Sequence, residues 1–238
     1  MEWRPSRAVT RSDGEEREAL SGEAAAQAQA QAKTEAQAQA RACDRLTFFS
    51  DAVVAIALTL LAVDLPVPEG RTASQLWTSF QHHKGDYAAF LISFLAITVA
   101  WSLHHDVFRY ARTMDPRLRT LNAGWLLTIV LNPFATRLLT ERGDPSLGAH
   151  ALRFGFYSLL QALASMLMLV MVRHLVRRGE TPGIPDSVVS SSTWQSWGVL
   201  AGFGLSIPVF FATTYAWLLW ALVPLFLRKA RRLRHRRG

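Results

Sequence analysis

The chain has 238 residues, half of them hydrophobic, and a formal net charge of +8. Its mean hydropathy of +0.12 is low for a membrane protein, but polar residues concentrated at both ends dilute an apolar middle. Cysteine occurs once, at Cys43, which excludes an intrachain disulfide and a thiolate zinc cluster. The arginines lie at the ends of apolar runs instead of forming one patch among exposed aromatic residues, so the charge does not indicate nucleic-acid binding.

Residues 1–44 form a polar segment that contains the low-complexity run EAAAQAQAQAKTEAQAQARA. Alanine and glutamine favour helices, but the run has no heptad of large apolar residues with which to form a coiled coil. The sequence therefore predicts a cytoplasmic N-terminal segment that is either disordered or a solvated helix leading into the first span.

Five apolar blocks follow, over residues 46–65, 86–105, 119–139, 151–173 and 190–227. About 20 residues are needed to cross roughly 30 Å of hydrocarbon, which is the length of each of the first four. A single helix over 193–227 would be about 52 Å long, so we expect the fifth block to divide near residues 208–214. The predicted fold is an all-α membrane protein with six transmembrane helices in a domain over 45–228, followed by a basic cytoplasmic tail over 229–238.

The placement of arginine supports an even number of spans, because cytoplasmic loops hold the excess of lysine and arginine. With six spans, the richest basic segments all lie on one side of the membrane. These segments contain Arg41 and Arg45; Arg109, Arg112, Arg117 and Arg119; Arg173, Arg177 and Arg178; and the arginines of the tail. Both termini are thus predicted to be cytoplasmic in a multi-pass protein of the cell membrane.

The first apolar block begins with charged and polar residues, in the stretch RLTFFSDAVVAIALTLLAVDLPVP from Arg45 to Pro68. An ionised carboxylate at Asp51, at the start of an apolar run, is costly unless it has a partner or water. We therefore expect other side chains to hold Asp51.

An aliphatic stripe runs along the predicted first helix. At 100° per residue, Ile56, Leu60 and Val63 fall within about 60° of one another, and Thr59 lies beside them. Such a stripe is typical of helix packing, and it is also suited to close a narrow pore by dewetting. One helix cannot enclose a channel, so a pore lined by this stripe requires several copies around an axis.

The start of this helix resembles the TMEM175 family of potassium channels. Residues Arg45 to Asp51 match the R-x-x-x-F-S-D signature that opens the first helix of that family, and AVVAIALTLL continues it. Further recurrent positions follow downstream at Trp101, His104, His105, Asn122 and Pro133-Phe134.

The resemblance implies a bacterial-type member: a homotetramer with six spans per chain, whose four first helices line a potassium-permeable pore. It places the narrowest constriction at Ile56, further apolar layers at Leu60 and Val63, and a threonine layer linked to selectivity at Thr59. Val63 stands where a leucine is often found, which puts the width of the outermost layer in doubt. The implied partners are potassium ions, the lipid bilayer and other copies of the chain, without a cofactor.

The resemblance also assigns the polar start of the helix to scaffolding. The signature residues Arg45, Phe49, Ser50 and Asp51 would hold the pore helix against the second and third spans. The available partners there are Trp101, His104, His105 and Asn122. Direct ion binding by Asp51 is the alternative.

Other functions find less support in the residues. Adjacent histidines such as His104 and His105 point about 100° apart on a helix, so they do not predict a metal site. Neither a nucleophile elbow nor an arginine-rich voltage-sensing helix is present, which favours a leak-like channel over an enzyme or a voltage sensor. The rival functions are an ion- or proton-coupled carrier that uses Asp51 and His104, and a membrane scaffold without transport.

Overall fold

The computed structural model describes residues 7–111, 113, 115–141, 146–178, 183–213 and 215–235, with side chains from residue 20 onward except at 228 and 230–235. Within these ranges the chain is helical and has no β-strand, which confirms the all-α class. The helices are α1 (Arg7–Val63), α2 (Ala73–His82), α3 (Lys84–Phe108), α4 (Pro116–Val130), α5 (Asn132–Thr140), α6 (Leu147–Arg178), α7 (Asp186–Phe210) and α8 (Leu219–His235), with a 3₁₀ turn (Ala216–Leu218) before α8.

The first helix includes most of the polar N-terminal segment. It runs over 57 residues, about 86 Å at 1.5 Å per residue, before it ends at Val63. The side chains over 20–42 are exposed, apart from the partly buried Ala40. The described part of this segment is thus a helix, as in the second of the two alternatives, and its cytoplasmic location stays a prediction.

The third and fifth apolar blocks are each divided. The third block becomes α4 and α5, because Pro133 has no N–H to donate to the carbonyl of Ile129 and interrupts the hydrogen-bond ladder. In the fifth block, α7 ends at Phe210 and the next helical turn begins at Ala216, within the region where the sequence predicts a division.

Three of the described helices are long and apolar enough to cross a membrane: α1 through its segment Leu20–Val63, α3 and α6. The remaining helices are shorter or less apolar. The structure therefore supports a multi-pass membrane protein, while the count of six spans stays a prediction.

The core consists of two apolar clusters that share α6. One cluster joins α6 to α1, α3 and α4, and the other joins it to α5, α7, the 3₁₀ turn and α8. Helix α1 lies at the edge of this arrangement, where it packs against α3, α4 and α5. Consequently only one face of α1 is covered within the protomer.

Candidate functional site

The covered face of α1 is made of small and aliphatic residues at helical spacing. Ser50, Val54, Ala57 and Leu61 are all buried, and they repeat at intervals of three and four residues. Val54, Ala57 and Leu61 belong to the apolar cluster that α1 shares with α3, α4 and α6. This spacing fixes the rotation of α1 about its own axis.

The opposite face of α1 carries the predicted stripe. Ile56, Leu60 and Val63 are 58%, 48% and 76% exposed, although each is a large aliphatic side chain. Thr59 is also exposed, and its hydroxyl donates a hydrogen bond to the carbonyl oxygen of Ile56 at 2.7 Å. The structure thus brings the four predicted pore residues to one uncovered side of a helix whose other side is tightly packed.

A chain of hydrogen bonds links α1 to the second and third apolar segments. The Nε2 atom of His104 on α3 lies 2.7 Å from Oδ1 of Asn122 on α4. The Nδ2 atom of Asn122 donates to Oγ of Ser50 at 3.0 Å, and the Ser50 hydroxyl donates to the carbonyl oxygen of Leu46 at 2.9 Å. Because His104, Asn122 and Ser50 are at most 1% exposed, water does not compete for these bonds.

The geometry assigns one tautomer to His104. Since Nδ2 of Asn122 is a donor, its Oδ1 must accept, so Nε2 of His104 carries the proton. The imidazole ring is stacked between Phe108 and Trp125, with ring centroids 4.0 and 4.3 Å away. Its Nδ1 atom is buried without a hydrogen-bond partner among the described residues. His104 is thus a neutral donor within an aromatic sandwich, and the two aromatic residues were not anticipated from the sequence.

Asp51 is held by a second pair of contacts from α3. The indole Nε1 of Trp101 donates to Oδ1 of Asp51 at 2.8 Å, and Nδ1 of His105 lies 3.6 Å from Oδ2. Trp101 and His105 are one helical turn apart and their rings are in contact, with centroids separated by 5.7 Å. Both carboxylate oxygens of Asp51 therefore face α3.

The structure does not bring every signature residue into these networks. Arg45 is exposed on the same side of α1 as the stripe, and its side chain forms no hydrogen bond or ion pair with a described residue. Phe49 is exposed too. Ser50 contacts Asn122 and, through it, His104, and Asp51 contacts Trp101 and His105. Arg45 and Phe49, the other two predicted scaffolding residues, point away from these partners.

The described residues contain no cluster of three or more histidine, cysteine, aspartate or glutamate side chains with the spacing of a metal site. His83 contacts Asp86 through Nδ1 at 2.9 Å, and its ring meets the ring of His82 edge to face, with centroids 5.1 Å apart and planes at 85°.

The stretch that holds the stripe and both networks is the part of the chain that a known family shares. The family model described as "Endosomal/lysosomal potassium channel TMEM175" matches residues 45–133. A potassium channel of Streptomyces collinus is 34% identical over 135 residues, which cover 57% of this chain and 65% of that relative. Over residues 45–133 the chain thus matches the TMEM175 family. It is a family of ion channels and not of enzymes.

Two further similarities extend the comparison beyond this stretch. The crystal structure of a lysosomal potassium-selective channel TMEM175 homolog from Chamaesiphon minutus superposes with a TM-score of 0.63 at 23% identity, covering 80% of this chain and 98% of that one, which shows the shared fold. The endosomal/lysosomal proton channel TMEM175 of Rattus norvegicus is 31% identical over 105 residues, 44% of this chain and 21% of the rat protein. The chain therefore spans less than two thirds of these curated relatives.

A third polar network in this chain is not among the sequence predictions. The hydroxyl of Thr136 on α5 donates to Oγ of Ser93 on α3 at 2.7 Å, and Ser93 lies 2.9 Å from the hydroxyl of Tyr157 on α6. Close by, Nε2 of Gln161 donates to Oδ1 of Asn132 at 3.1 Å. The available signal was the presence of polar residues such as Ser93 within apolar runs, where they require partners.

Asp115 joins the start of α4 to the end of α6, outside the predicted spans. Its Oδ1 accepts the backbone N–H of Leu118 at 2.7 Å, and its Oδ2 lies 2.9 Å from Nε2 of His174 and 3.4 Å from Nη1 of Arg178. Burial acts to raise the pKa of the Asp115 carboxyl, but these hydrogen bonds and the charges of His174 and Arg178 together lower it below its usual value. The carboxylate is thus both a helix cap and an ion-pair partner.

Proposed function

We propose that this chain forms a homotetrameric, potassium-permeable cation channel whose pore is lined by α1 from each copy. The observation that carries the proposal is the division of α1 into a covered face at Val54, Ala57 and Leu61 and an uncovered aliphatic face. A single protomer leaves that aliphatic face without a partner, and cyclic symmetry would bring several such faces around one axis. Four copies is the number that the resemblance to bacterial-type family members implies.

In this arrangement the stripe forms the gate and the filter. Rings of Ile56, Leu60 and Val63 would exclude water from a narrow passage, with Ile56 as the constriction. Thr59 lies on the same exposed side, and because its hydroxyl proton is directed to the Ile56 carbonyl, its oxygen lone pairs are available to a partly dehydrated cation. Selectivity for potassium would then come from side-chain oxygens.

The buried networks position the pore helix. Ser50 is bonded through Asn122 to His104, and Asp51 is bonded to Trp101, so rotation of α1 would break several buried contacts at once. We assign these residues to scaffolding and not to ion binding. The proposed channel has six spans, cytoplasmic termini and a place in the cell membrane, and it conducts as a leak because the sequence shows no arginine-rich voltage-sensing helix.

The test is potassium flux from liposomes that contain the purified full chain under a potassium gradient. We expect passive flux in the native protein and a larger flux in Ile56→Asn, because a polar ring hydrates the constriction. Leu159→Asn is the matched control, since Leu159 on α6 is 61% exposed and lies outside the stripe. Equal flux in native and Ile56→Asn protein, or none in either, would refute the pore assignment.

A coupled carrier that uses Asp51 and His104 is the second candidate. It is favoured by the contacts of the Asp51 carboxylate with Trp101 and His105, two side chains of a neighbouring helix. Asp51→Asn separates the two functions. An asparagine oxygen still accepts the Trp101 N–H, so a channel keeps its passive potassium flux, whereas a carrier that titrates Asp51 loses its coupling to a proton or second-ion gradient.

A further inference from the structure

The short helix α2 has a sharply divided surface. At 100° per residue, Ala73, Leu76, Trp77 and Phe80 lie within an arc of about 100°. The rest of its surface is polar and carries Ser74, Gln75, Thr78, Ser79, Gln81 and His82. No residue of α2 is buried, and Trp77 is 62% exposed. The apolar arc is therefore presented outward.

The polar side of α2 already has its partners within the protomer. Ser79 accepts the backbone N–H of Glu69 through Oγ at 2.9 Å. Gln75 accepts the backbone N–H of Arg71 and closes a capping box with Thr72. The linker that follows α1 thus lies against the polar side of α2, and the apolar side is left to other surroundings.

The apolar arc continues into the exposed face of a membrane-crossing helix. The rings of Trp77 and Phe80 are stacked with centroids 5.7 Å apart, and Phe80 is stacked on Tyr87 of α3 at 4.7 Å. Tyr87 shares a face of α3 with Leu91 and Phe94, which are both exposed. One apolar surface therefore runs from α2 along α3, which is long and apolar enough to cross a membrane.

The position of α2 along the membrane normal follows from the chain. Helix α1 ends at Val63, α3 begins at Lys84, and one residue, His83, separates α2 from α3. Because both flanking helices are candidate membrane spans, α2 lies at the level where hydrocarbon gives way to headgroups. Tryptophan and tyrosine are enriched at that level, where an apolar ring and a polar edge are both accommodated.

We propose that α2 is an interfacial helix that inserts Leu76, Trp77 and Phe80 into the leaflet opposite the basic loops, with lipid as its partner. Aspartate, glutamate, lysine and arginine are absent from α2, so insertion depends on apolar burial and not on anionic headgroups. The proposal requires that α1 and α3 cross the membrane, and it does not depend on ion conduction.

Spin labels on single cysteines test this proposal. Cys43 is the only cysteine in the chain, so Cys43→Ala gives a background for Trp77→Cys on the apolar arc and Thr78→Cys on the polar side as its matched control. The full chain is reconstituted in phosphatidylcholine vesicles. Collisions with oxygen, which concentrates in hydrocarbon, and with a water-soluble nickel chelate are measured for each label.

We expect a label at position 77 to meet oxygen several-fold more and nickel several-fold less than a label at 78. Leu76→Cys repeats the measurement if Trp77→Cys does not fold. Two results would overturn the proposal: nickel access at 76 and 77 equal to that at 78, which means that the arc faces water, or an immobile label reached by neither reagent, which means that protein from another copy covers it.

Discussion

Asn122→Leu should destabilise the protein more than its small change in shape suggests. The amide of Asn122 accepts from His104 at 2.7 Å and donates to Ser50 at 3.0 Å, and both partners are buried. A leucine of similar branching removes both bonds. It leaves the Nε2–H of His104 without an acceptor, whereas the Ser50 hydroxyl keeps its bond to the carbonyl of Leu46.

The size of the expected loss of stability follows from these two broken hydrogen bonds. A buried donor left without an acceptor costs about 1–3 kcal/mol, and a hydrogen bond between membrane helices contributes on average about 0.6 kcal/mol. We therefore expect Asn122→Leu to lower the free energy of unfolding by about 2 kcal/mol. For a chain of this size, that corresponds to a decrease of roughly 4–8 °C in Tm.

The sole cysteine provides the assay. Cys43 is buried on α1, so a fluorogenic thiol reagent reports its exposure as the protein unfolds in detergent. Thr120→Val is the control, since Thr120 is exposed on α4, the helix of Asn122, and among the described residues its hydroxyl bonds to the carbonyl of Pro116. Combining Asn122→Leu with His104→Phe should cost about 1 kcal/mol less than the sum of the single changes. A native Tm for Asn122→Leu, or strictly additive losses, would refute this account of the network.

Three further predictions concern other parts of the chain. The pKa of Asp115 is lowered in the folded protein, so its contribution to stability is present above the usual carboxyl pKa and is lost as the pH falls through the lowered value. The Tm difference between native and Asp115→Asn protein should therefore shrink in acid, as measured by melting from pH 7 to pH 3. A Cβ on Gly202 would lie 2.8 Å from the carbonyl oxygen of Leu219, whereas a Cβ on Gly204 would have no neighbour within 4 Å. Gly202→Ala should therefore lower the free energy of unfolding by about 1–3 kcal/mol, and Gly204→Ala should leave it unchanged. Thr59→Ala should reduce the potassium-to-sodium flux ratio about two- to tenfold, because it removes the proposed cation-coordinating hydroxyl from each copy, whereas Thr59→Ser keeps the hydroxyl and should stay close to native. An unchanged ratio in Thr59→Ala would contradict this role of Thr59.

The helical segments and the two faces of α1 were predictable from the sequence because each depends on local information. Apolar length predicts a helix that crosses hydrocarbon, and the spacing of Ile56, Leu60 and Val63 fixes their common face whatever the rest of the chain does. Pro133 is also a visible signal for the break between α4 and α5, while the crossing of the third block as one span stays a prediction. A missing N–H interrupts the ladder even where hydropathy is continuous.

The pairing of side chains across helices was harder to predict. The sequence supplied Trp101, His104, His105 and Asn122 as a set of partners, but the division into one network for Ser50 and another for Asp51 depends on helix rotation and register. Arg45 lies outside both networks because its position on α1 is on the exposed side. Contacts such as Ser93 with Tyr157 join residues that are 64 positions apart, and no local pattern encodes them.

The central claim is that the Ile56 face of α1 lines the ion path, and a cationic thiol reagent tests it most directly. Ile56→Cys and Leu159→Cys are each made in the Cys43→Ala background and reconstituted in liposomes. The liposomes are treated with a small trimethylammonium thiosulfonate and assayed for potassium flux. Mass spectrometry verifies the extent of labelling. We expect modification at position 56 to block the flux, since it places a fixed positive charge in the constriction, and modification at 159 to leave the flux unchanged. Full modification at 56 with undiminished flux would contradict it.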